Sequence, residues 1–261
     1  ARRDIAVITT PDLIAIDDAM DWPSRKTRLN ALIPLRQVFR YAVSRGYRPD
    51  NPASSLHGKR EAERAGPDPY TADERDALLQ WLRENGRKPS WEYFTLAFYT
   101  GMRTGELIGL EWRDLQGDAI MVERAYVRRE SGPTKTGKRR RVWLLPQAAE
   151  VLKSMPRPIQ GGRIFVNQYG RGFQSGYHLN RSWRWAHEAT GVRLRTRAYP
   201  WRHTFASLAL TAGVRPALVA EQLGHSLQML LSTYARWIPA DDDRAELAKM
   251  VAADPKRTQF R

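Results

Sequence analysis

The sequence predicts a mainly α-helical protein with a small antiparallel β-sheet, built as a small N-terminal helical domain, a linker and a larger α+β domain. Apolar residues recur at helical spacing through most of the chain, whereas segments of alternating polarity are confined to residues 119–145. The stretch HGKREAERAGPDP, residues 57–69, is polar, charged and proline-bearing, which is typical of an interdomain linker.

Two helices are predicted in the first domain, residues 1–56. The first starts at Thr10 and Pro11, and the second runs from about residue 24 to residue 45, with Pro34 as a kink and Gly46 as its end. The second helix has an apolar stripe on one face. Its other face carries basic side chains that either are solvated or face a DNA backbone: Arg25, Lys26, Arg28, Arg36 and Arg40.

The larger domain, residues 70–239, has a denser pattern. Helices are predicted over 71–85, 90–101, 147–154, 177–190, 200–211 and 216–223. Strands are predicted over 119–124 and 125–129, and GPTKTGKRRRVWLL is interpreted as a hairpin with Gly137 near its tip. Residues 240–261 form a tail whose segment DDDRAELAKMVA predicts a helix with a short apolar strip.

The charge of the chain is strongly positive. Its 261 residues include 43 Lys and Arg against 28 Asp and Glu, a net charge of +15. A solvated basic surface is the ordinary explanation, but an excess of this size favours a polyanionic partner. The sequence has no run of about 18 or more apolar residues, so no membrane-spanning segment or membrane partner is predicted.

Composition excludes several kinds of chemistry. Cysteine is absent, which rules out disulfides, thiolate metal sites and a thiol nucleophile, and the five histidines are scattered without zinc-ligand spacing. We therefore predict no metal site and no cofactor. No signal peptide is visible, so a cytoplasmic, nucleoid-associated protein is expected. The chain begins at Ala1, and we expect a fragment whose missing N-terminus could have carried a further DNA-binding domain.

The stretch RAYPWRHTF suggests a phosphate site. Pro200 suits the first turn of a helix, where a missing N–H costs nothing, and this places Arg202 in the same turn. Unpaired N–H groups and the positive end of the helix dipole attract phosphate there.

Other candidate residues are dispersed along the chain. Arg103 follows a helix-ending glycine in TGMRTGEL, with Glu106 three residues on and able to orient it. Lys135 lies on the predicted hairpin, and LGHSLQMLLSTYAR contains His225 and Tyr234. Each has an ordinary explanation when taken singly: a solvated arginine, a generic phosphate contact, a helix-junction hydrogen bond and a packed tyrosine.

Taken together, these side chains suit reaction at a phosphodiester. Two arginines can bind the non-bridging oxygens of a phosphate, and a lysine can donate a proton. A histidine can hydrogen-bond developing charge, and a tyrosine can attack phosphorus.

The sequence resembles the tyrosine recombinases of the phage-integrase family over nearly its whole length. TGMRTGELIGLEWRDL is similar to the first arginine box of that family, RHTFASLALTAG to the second and LGHSLQMLLSTYA to the nucleophile box. Residues 10–56, ending in GYRPDNPASSL, resemble the later part of the family's SAM-like core-binding domain. The resemblance implies a two-domain, C-shaped clamp around double-stranded DNA.

The resemblance also implies a mechanism. Tyr234 attacks the scissile phosphate, forming a 3′-phosphotyrosyl link and releasing a 5′-hydroxyl. Arg103 and Arg202 stabilise the pentacoordinate state with help from His225, and Lys135 protonates the leaving oxygen. Neither ATP nor metal is needed, because the covalent link retains the bond energy. Glu106 supports the first arginine, and the basic residues after the hairpin tip are expected to contact DNA: Lys138, Arg139, Arg140 and Arg141.

One position departs from the family pattern. The second box usually reads His-x-x-Arg, but here it reads Tyr199-Pro200-Trp201-Arg202. Either the proton acceptor for the nucleophile lies elsewhere, or little base help is needed. Tyr199 precedes proline and should be extended, where its hydroxyl could donate to phosphate or its ring could pack on Trp201. His203 belongs to the ordinary continuation of the box and is expected to be supporting.

The sequence therefore predicts a site-specific recombinase or integrase that acts as a homo-tetramer on two synapsed crossover (core) sites, with possible DNA-bending or directionality factors. One alternative is a type IB topoisomerase, which uses the same strand chemistry, and another is a non-catalytic DNA-binding protein. The tail favours the recombinase, because its apolar strip of Leu247, Met250 and Val251 needs a covering surface. That surface is either a neighbouring protomer or the tail's own domain.

Overall fold

The computed structural model describes residues 4–56, 66–127, 130–133, 139–173, 177–195 and 198–239. The chain divides into two compact units, with the boundary between residues 65 and 66. Residues 57–65 of the predicted linker lie outside the described residues, and 66–69 belong to the second unit. In that unit Arg236 donates to the carbonyl of Pro67, and Arg193 forms an ion pair with Asp68 at 2.6 Å.

The first unit contains two helices, as predicted. Helix α1 spans Thr10–Ala19 and helix α2 spans Arg25–Ser44, with Pro34 inside α2. Side-chain caps fix both starts, because Thr9 and Ser24 accept hydrogen bonds from backbone N–H groups of the first helical turn. A small core holds the unit together: Leu13, Leu32, Phe39, Ala53 and Leu56.

The second unit is built mainly from helices, and the predicted ones are present. Their bounds are α3 Ala72–Asn85, α4 Ser90–Thr100, α5 Thr104–Ile108, α6 Pro146–Ser154, α7 Tyr177–Thr190, α8 Pro200–Thr211, α9 Pro216–Leu223 and α10 Leu227–Tyr234. Short 3-10 turns lie at Trp112–Asp114 and Ala235–Trp237. The short α5 and the helix α10 are additions to the sequence-based assignment.

The strands form two small antiparallel groups. Strands β1 Leu115–Gln116, β2 Ala119–Val122 and β5 Arg140–Trp143 make a three-stranded sheet in the order β1-β2-β5. Strand β3 Arg124–Val127 pairs with β4 Glu130–Pro133.

The prediction that the two arms of GPTKTGKRRRVWLL pair with each other as a hairpin is therefore wrong. Its first arm pairs with β3 and its second arm with β2, where Val122 lies opposite Arg140. Alternating polarity identifies a segment as a strand but does not identify its neighbour, which explains the error. The predicted tip, with Gly137, lies outside the described residues.

An aromatic core surrounds α4 in the second unit. The rings of Phe94 and Trp183 stack at 4.3 Å between centroids, and Tyr93, Phe165 and Trp201 pack edge to face around them. A second, smaller core joins α8, α9 and α10 through residues such as Leu210, Leu223 and Leu230, and it includes Tyr234. This smaller core fixes the three helices that carry most of the candidate site.

A glycine allows the two cores to approach each other. Gly101 ends α4 with a φ of +64°, a conformation that favours glycine. A Cβ at this position would lie 2.5 Å from Leu223 Cδ2 and 2.9 Å from the ring of Phe205. The close contact brings the end of α4 against α8 and α9, where the site residues gather.

Among the described residues, no helix combines the length and the apolar character needed to cross a membrane.

Candidate active site

Glu106 is the buried anion of the site. It lies on α5 with 2% of its surface exposed, and its Oε2 accepts a hydrogen bond from the backbone N–H of Arg103 at 2.8 Å. The guanidinium of Arg103 donates to Oε1 at 2.9 Å, which is the orienting contact that the three-residue spacing predicts.

Arg140 donates to the same carboxylate from β5. Its Nη1 and Nη2 reach the two oxygens of Glu106 at 2.9 and 2.7 Å, and its Nε donates to the carbonyl of Gln222 at 3.1 Å. The sequence predicts that Arg140 contacts DNA, whereas in the structure it lies within the site and donates to Glu106. Burial alone raises the pKa of Glu106, but the hydrogen bonds from Arg140 and Arg103 outweigh it and hold that pKa below its usual value.

Arg202 lies in the first turn of α8, as predicted, and is 4% exposed. Its guanidinium donates to the carbonyl of Gly101 at 2.8 Å, to the carbonyl of Leu223 and to Nε2 of His225 at 2.8 Å. Burial, with repulsion from Arg103, lowers the pKa of Arg202 to about 9. The group thus keeps its charge at neutral pH, and three fixed acceptors determine its direction.

His225 follows Gly224 at the junction of α9 and α10. Because Nε2 accepts from Arg202, the ring proton is assigned to Nδ1, which is buried and has no hydrogen-bond partner within the described part of the chain. Burial and the charges of Arg202, Arg103 and Arg140 lower the pKa of His225 to about 3. His225 is therefore neutral at pH 7 and has one N–H available for an acceptor.

The charges in this cluster do not balance. Among the described residues, three guanidinium groups lie in this cluster with the single carboxylate of Glu106: Arg103 and Arg140 donate to it, and Arg202 interacts with it only through its charge. Two positive charges remain unmatched, and mutual repulsion contributes to the lowered pKa of Arg202. Such a cluster can bind a dianionic or monoanionic group through several oriented donors at once.

Tyr234 ends α10 beside this cluster and is 2% exposed. Its hydroxyl lies 2.8 Å from Nδ1 of His203, and the two rings are 5.8 Å apart. Burial raises the pKa of Tyr234, while the charge of Arg202 acts in the opposite direction. The contact with His203 joins residues 31 positions apart and was not anticipated from the sequence.

Tyr199 does not adopt the extended conformation that the sequence analysis predicts. It has φ 60° and ψ 53°, which is left-handed and costs a non-glycine residue roughly 1–2 kcal/mol. In this conformation its carbonyl accepts from the backbone N–H of Arg202 at 3.0 Å and of His203 at 3.3 Å, which begins α8. Its side chain is 39% exposed, and its ring meets Trp201 edge to face at 6.0 Å.

Two predicted residues near the hairpin tip, the proton donor Lys135 and the DNA contact Lys138, lie outside the described residues. Arg139 is exposed and forms an ion pair with Glu123 at 3.4 Å, and the guanidinium of Arg141 lies 5.2 Å from the ring centroid of Trp143. Both arginines stay predictions as DNA contacts.

The basic face of α2 is similarly divided. Arg28 forms an ion pair with the buried Asp17, and Arg36 donates to the carbonyl of Leu56, so both contribute to the packing of the first unit. Lys26 and Arg40 are exposed. The remaining member of the predicted set, Arg25, is half-buried.

Sequence comparison assigns the chain to a family. Residues 70–239 match the Phage integrase family, so the chain belongs to it. It is 32% identical over 255 residues to the prophage integrase IntR of Escherichia coli (strain K12), a match that covers 86% of this chain and 60% of that protein. The chain thus spans about three fifths of the length of this relative.

Solved structures show the same fold. The Tn1549 transposon integrase, determined with a circular intermediate DNA, superposes with a TM-score of 0.73 at 21% identity, covering 94% of this chain and 86% of the other. Lambda integrase residues 75–356, a dimer bound to a COC′ core site, give a TM-score of 0.72 at 21% identity, with 92% and 82% covered. Lambda integrase has also been determined as a tetramer bound to a Holliday junction.

Proposed function

We propose that this protein is a site-specific DNA recombinase that cleaves and rejoins strands through a covalent link to Tyr234. One observation carries the proposal: a buried tyrosine hydroxyl lies beside a cluster of three arginines whose positive charge exceeds its one carboxylate. A phosphodiester supplies the missing negative charge, and the tyrosine supplies the nucleophile.

In the proposed reaction, Tyr234 Oη attacks the scissile phosphorus, forming a 3′-phosphotyrosyl bond and releasing the 5′-oxygen. Arg103 and Arg202 bind the non-bridging oxygens, and the free N–H of His225 donates to the same group. Lys135 is the proposed acid for the leaving oxygen. Loss of one such oriented donor typically costs about 3–4 kcal/mol of transition-state stabilisation.

The supporting residues hold these donors in place. Glu106 fixes Arg103 from one side and Arg140 from the other, so the cluster is oriented before DNA binds. Tyr199 is proposed as a neutral donor to phosphate at the position where the family usually has histidine. Exchange of one phosphoester for another conserves bond energy, so the reaction draws on no external energy source.

Recombination is favoured over topoisomerase-like relaxation by family membership and by the kinds of relatives. The related chains include a prophage integrase and a transposon integrase determined with a circular DNA intermediate. We propose double-stranded crossover sites as substrate and four protomers on two synapsed sites, a number that matches the lambda integrase tetramer bound to a Holliday junction. Accessory DNA-bending or directionality factors, and a location at the bacterial nucleoid, belong to the same proposal.

The proposal is tested with a suicide duplex that carries a nick near the cleavage position. Tyr234→Phe should abolish the covalent adduct while duplex affinity stays within about twofold, because affinity comes mainly from dispersed Lys and Arg contacts to phosphates. Tyr169→Phe is the matched control, since Tyr169 is 77% exposed and distant in sequence from the three boxes. Persistent adduct formation by the Tyr234 variant would contradict the assignment.

Adduct formation and two further assays separate the alternatives. A chain that only binds DNA forms no adduct at all. Recombinant products from a substrate with two sites identify a recombinase, whereas relaxation of a supercoiled plasmid without such products identifies a topoisomerase.

A further inference from the structure

The structure places an imidazole next to the hydroxyl of the proposed nucleophile, at a position that the sequence did not indicate. His203 lies on α8 directly after Arg202, and its Nδ1 is 2.8 Å from the hydroxyl oxygen of Tyr234. This is hydrogen-bond distance, and imidazole is the side chain best suited to accept a proton near neutral pH. Tyr199, at the usual histidine position of the second box, has a phenol and cannot play this part near pH 7.

We propose that His203 is the general base that takes the proton from Tyr234 during strand cleavage. The inference rests on the proposed function, in which Tyr234 is the nucleophile. His203 then touches the reacting oxygen itself, and its role is catalytic rather than supporting.

The step balances as follows. The Oη–H bond of Tyr234 breaks and its proton moves to Nδ1 of His203 while Oη forms a bond to phosphorus. The bond from phosphorus to the 5′-oxygen breaks, and that oxygen takes a proton from the proposed acid Lys135. On rejoining, the oxygen of the 5′-hydroxyl attacks phosphorus and its proton returns to the neutral amine of Lys135, while the bond from phosphorus to Oη breaks and the imidazolium of His203 returns its proton to Oη. No oxidant, reductant or further reactant is consumed.

The surroundings make such a base useful. Tyr234 is almost fully buried, which disfavours its phenolate, so unaided ionisation is scarce at neutral pH. Within the described part of the chain, the groups that act electrostatically on the pair include Arg202 on the same helix as His203 and His225 at the α9–α10 junction. The charge of Arg202 acts in the opposite direction to burial and favours the phenolate of Tyr234.

The decisive variant is His203→Asn. The amide oxygen of asparagine can accept a hydrogen bond from Tyr234 in about the place of Nδ1, but it cannot take the proton. Cleavage of the suicide duplex in a single turnover should fall about 10²–10⁴-fold, the usual contribution of a general base, with duplex affinity unchanged. Cleavage by His203→Asn within about threefold of the parent rate would overturn the proposal.

A rescue experiment distinguishes lost chemistry from lost packing. Replacing Tyr234 by a ring-fluorinated tyrosine gives a more acidic phenol that ionises without help. This replacement should raise the cleavage rate of His203→Asn at least about tenfold, because the step that the variant lacks is removal of a proton. It should restore nothing to Tyr199→Phe, which affects a donor to phosphate. Absence of rescue in His203→Asn, or rescue of Tyr199→Phe instead, would overturn the assignment.

If His203→Asn fails to fold, the unaltered chain still gives an answer. With a working base, the fluorinated tyrosine should change the cleavage rate at pH 7 by less than about tenfold, whereas without one the rate should rise in proportion to the phenolate fraction.

Tyr234→Phe separates the proposed function from the proposed role of His203. Adduct formation by that variant contradicts the proposed function, while its absence together with rapid cleavage by His203→Asn contradicts only the role of His203.

Discussion

At the scale of single residues, the site depends on one carboxylate shared by two cations from different elements. Glu106 accepts three guanidinium hydrogen bonds and one backbone N–H, so its charge is matched on every side. Removing one partner from a buried network leaves the other charged groups buried without a partner. The resulting loss in the free energy of unfolding exceeds the net stabilisation that the intact network provides.

Glu106→Gln should therefore lower the free energy of unfolding at pH 7 by about 3–5 kcal/mol. The pKa of Glu106 is lowered in the folded state, so its contribution is fully present above the unfolded value of about 4.3 and is lost as pH falls through the folded pKa. The difference between parent and variant should shrink below about pH 4. Urea unfolding at several pH values measures this.

The control for that measurement is Glu150→Gln on α6, where the glutamate is exposed. It should change stability by no more than about 0.5 kcal/mol at any pH. An equal effect of the two substitutions, or a Glu106→Gln difference that grows at low pH, would show that the buried carboxylate does not carry the network.

At the scale of elements, the site is assembled where the end of α4, the start of α8 and the end of α9 meet. Gly101 allows these elements to pack closely. It adopts a left-handed conformation that favours glycine, and it has no side chain to collide with α8 and α9. Its carbonyl also accepts from Arg202. The orientation of the Arg202 guanidinium thus depends on a turn that has no reactive group of its own.

Gly101→Ala should destabilise the protein by about 2–5 kcal/mol, from the left-handed backbone together with crowding against Leu223 and Phe205. Gly117→Ala is a matched control, since Gly117 has φ +63° but nothing within 4 Å of its would-be Cβ. That control should lose only the backbone part, about 1–2 kcal/mol. Urea unfolding of both variants tests this, and similar losses would remove crowding as a cause.

The helix bounds could be predicted from the sequence, whereas the strand partners could not. Capping residues such as Thr71, the closing Gly101 and Pro at the first turn fix helix bounds through contacts a few residues apart, and those predictions are confirmed. The partner of a strand is set by packing across the whole unit, so the alternating pattern could not assign it.

The same distinction holds within the site. The box around Arg103 and Glu106 was predictable because the two residues are three positions apart. The contacts of Arg140 with Glu106 and of His203 with Tyr234 span 34 and 31 positions and depend on how β5 and α10 pack. The left-handed Tyr199 follows from the start of α8, which outweighs the usual preference of a residue before proline.

At the scale of the whole molecule, the proposed function assigns DNA binding and strand cleavage to different charges. The net charge of +15 is spread over the chain, whereas the cluster around Glu106 is small and largely buried. Dispersed cations give affinity that depends on salt and not on sequence, and oriented buried cations act mainly on the transition state. Variants of the cluster are thus expected to bind DNA and fail to cleave it.

The proposed assembly of several protomers needs a contact beyond DNA, and the tail is the proposed source of that contact. Residues 240–261 lie outside the described part of the chain, but their sequence places Leu247, Met250 and Val251 on one apolar strip of a predicted helix. If that strip docks on a neighbouring protomer, its loss removes an interaction between subunits and leaves each active site intact.

A chain truncated after Pro239 should therefore keep measurable cleavage of a single-site suicide duplex but should form fewer complexes that pair two sites. Leu247→Asp should reproduce the loss of pairing, because a charge on the strip opposes its burial, whereas Glu246→Gln beside the strip should not. Native gel mobility of two labelled duplexes measures pairing, and adduct yield measures cleavage in the same samples. Equal pairing by truncated and full chains would favour a tail that packs on its own domain, because the pairing of two sites would then not require the apolar strip.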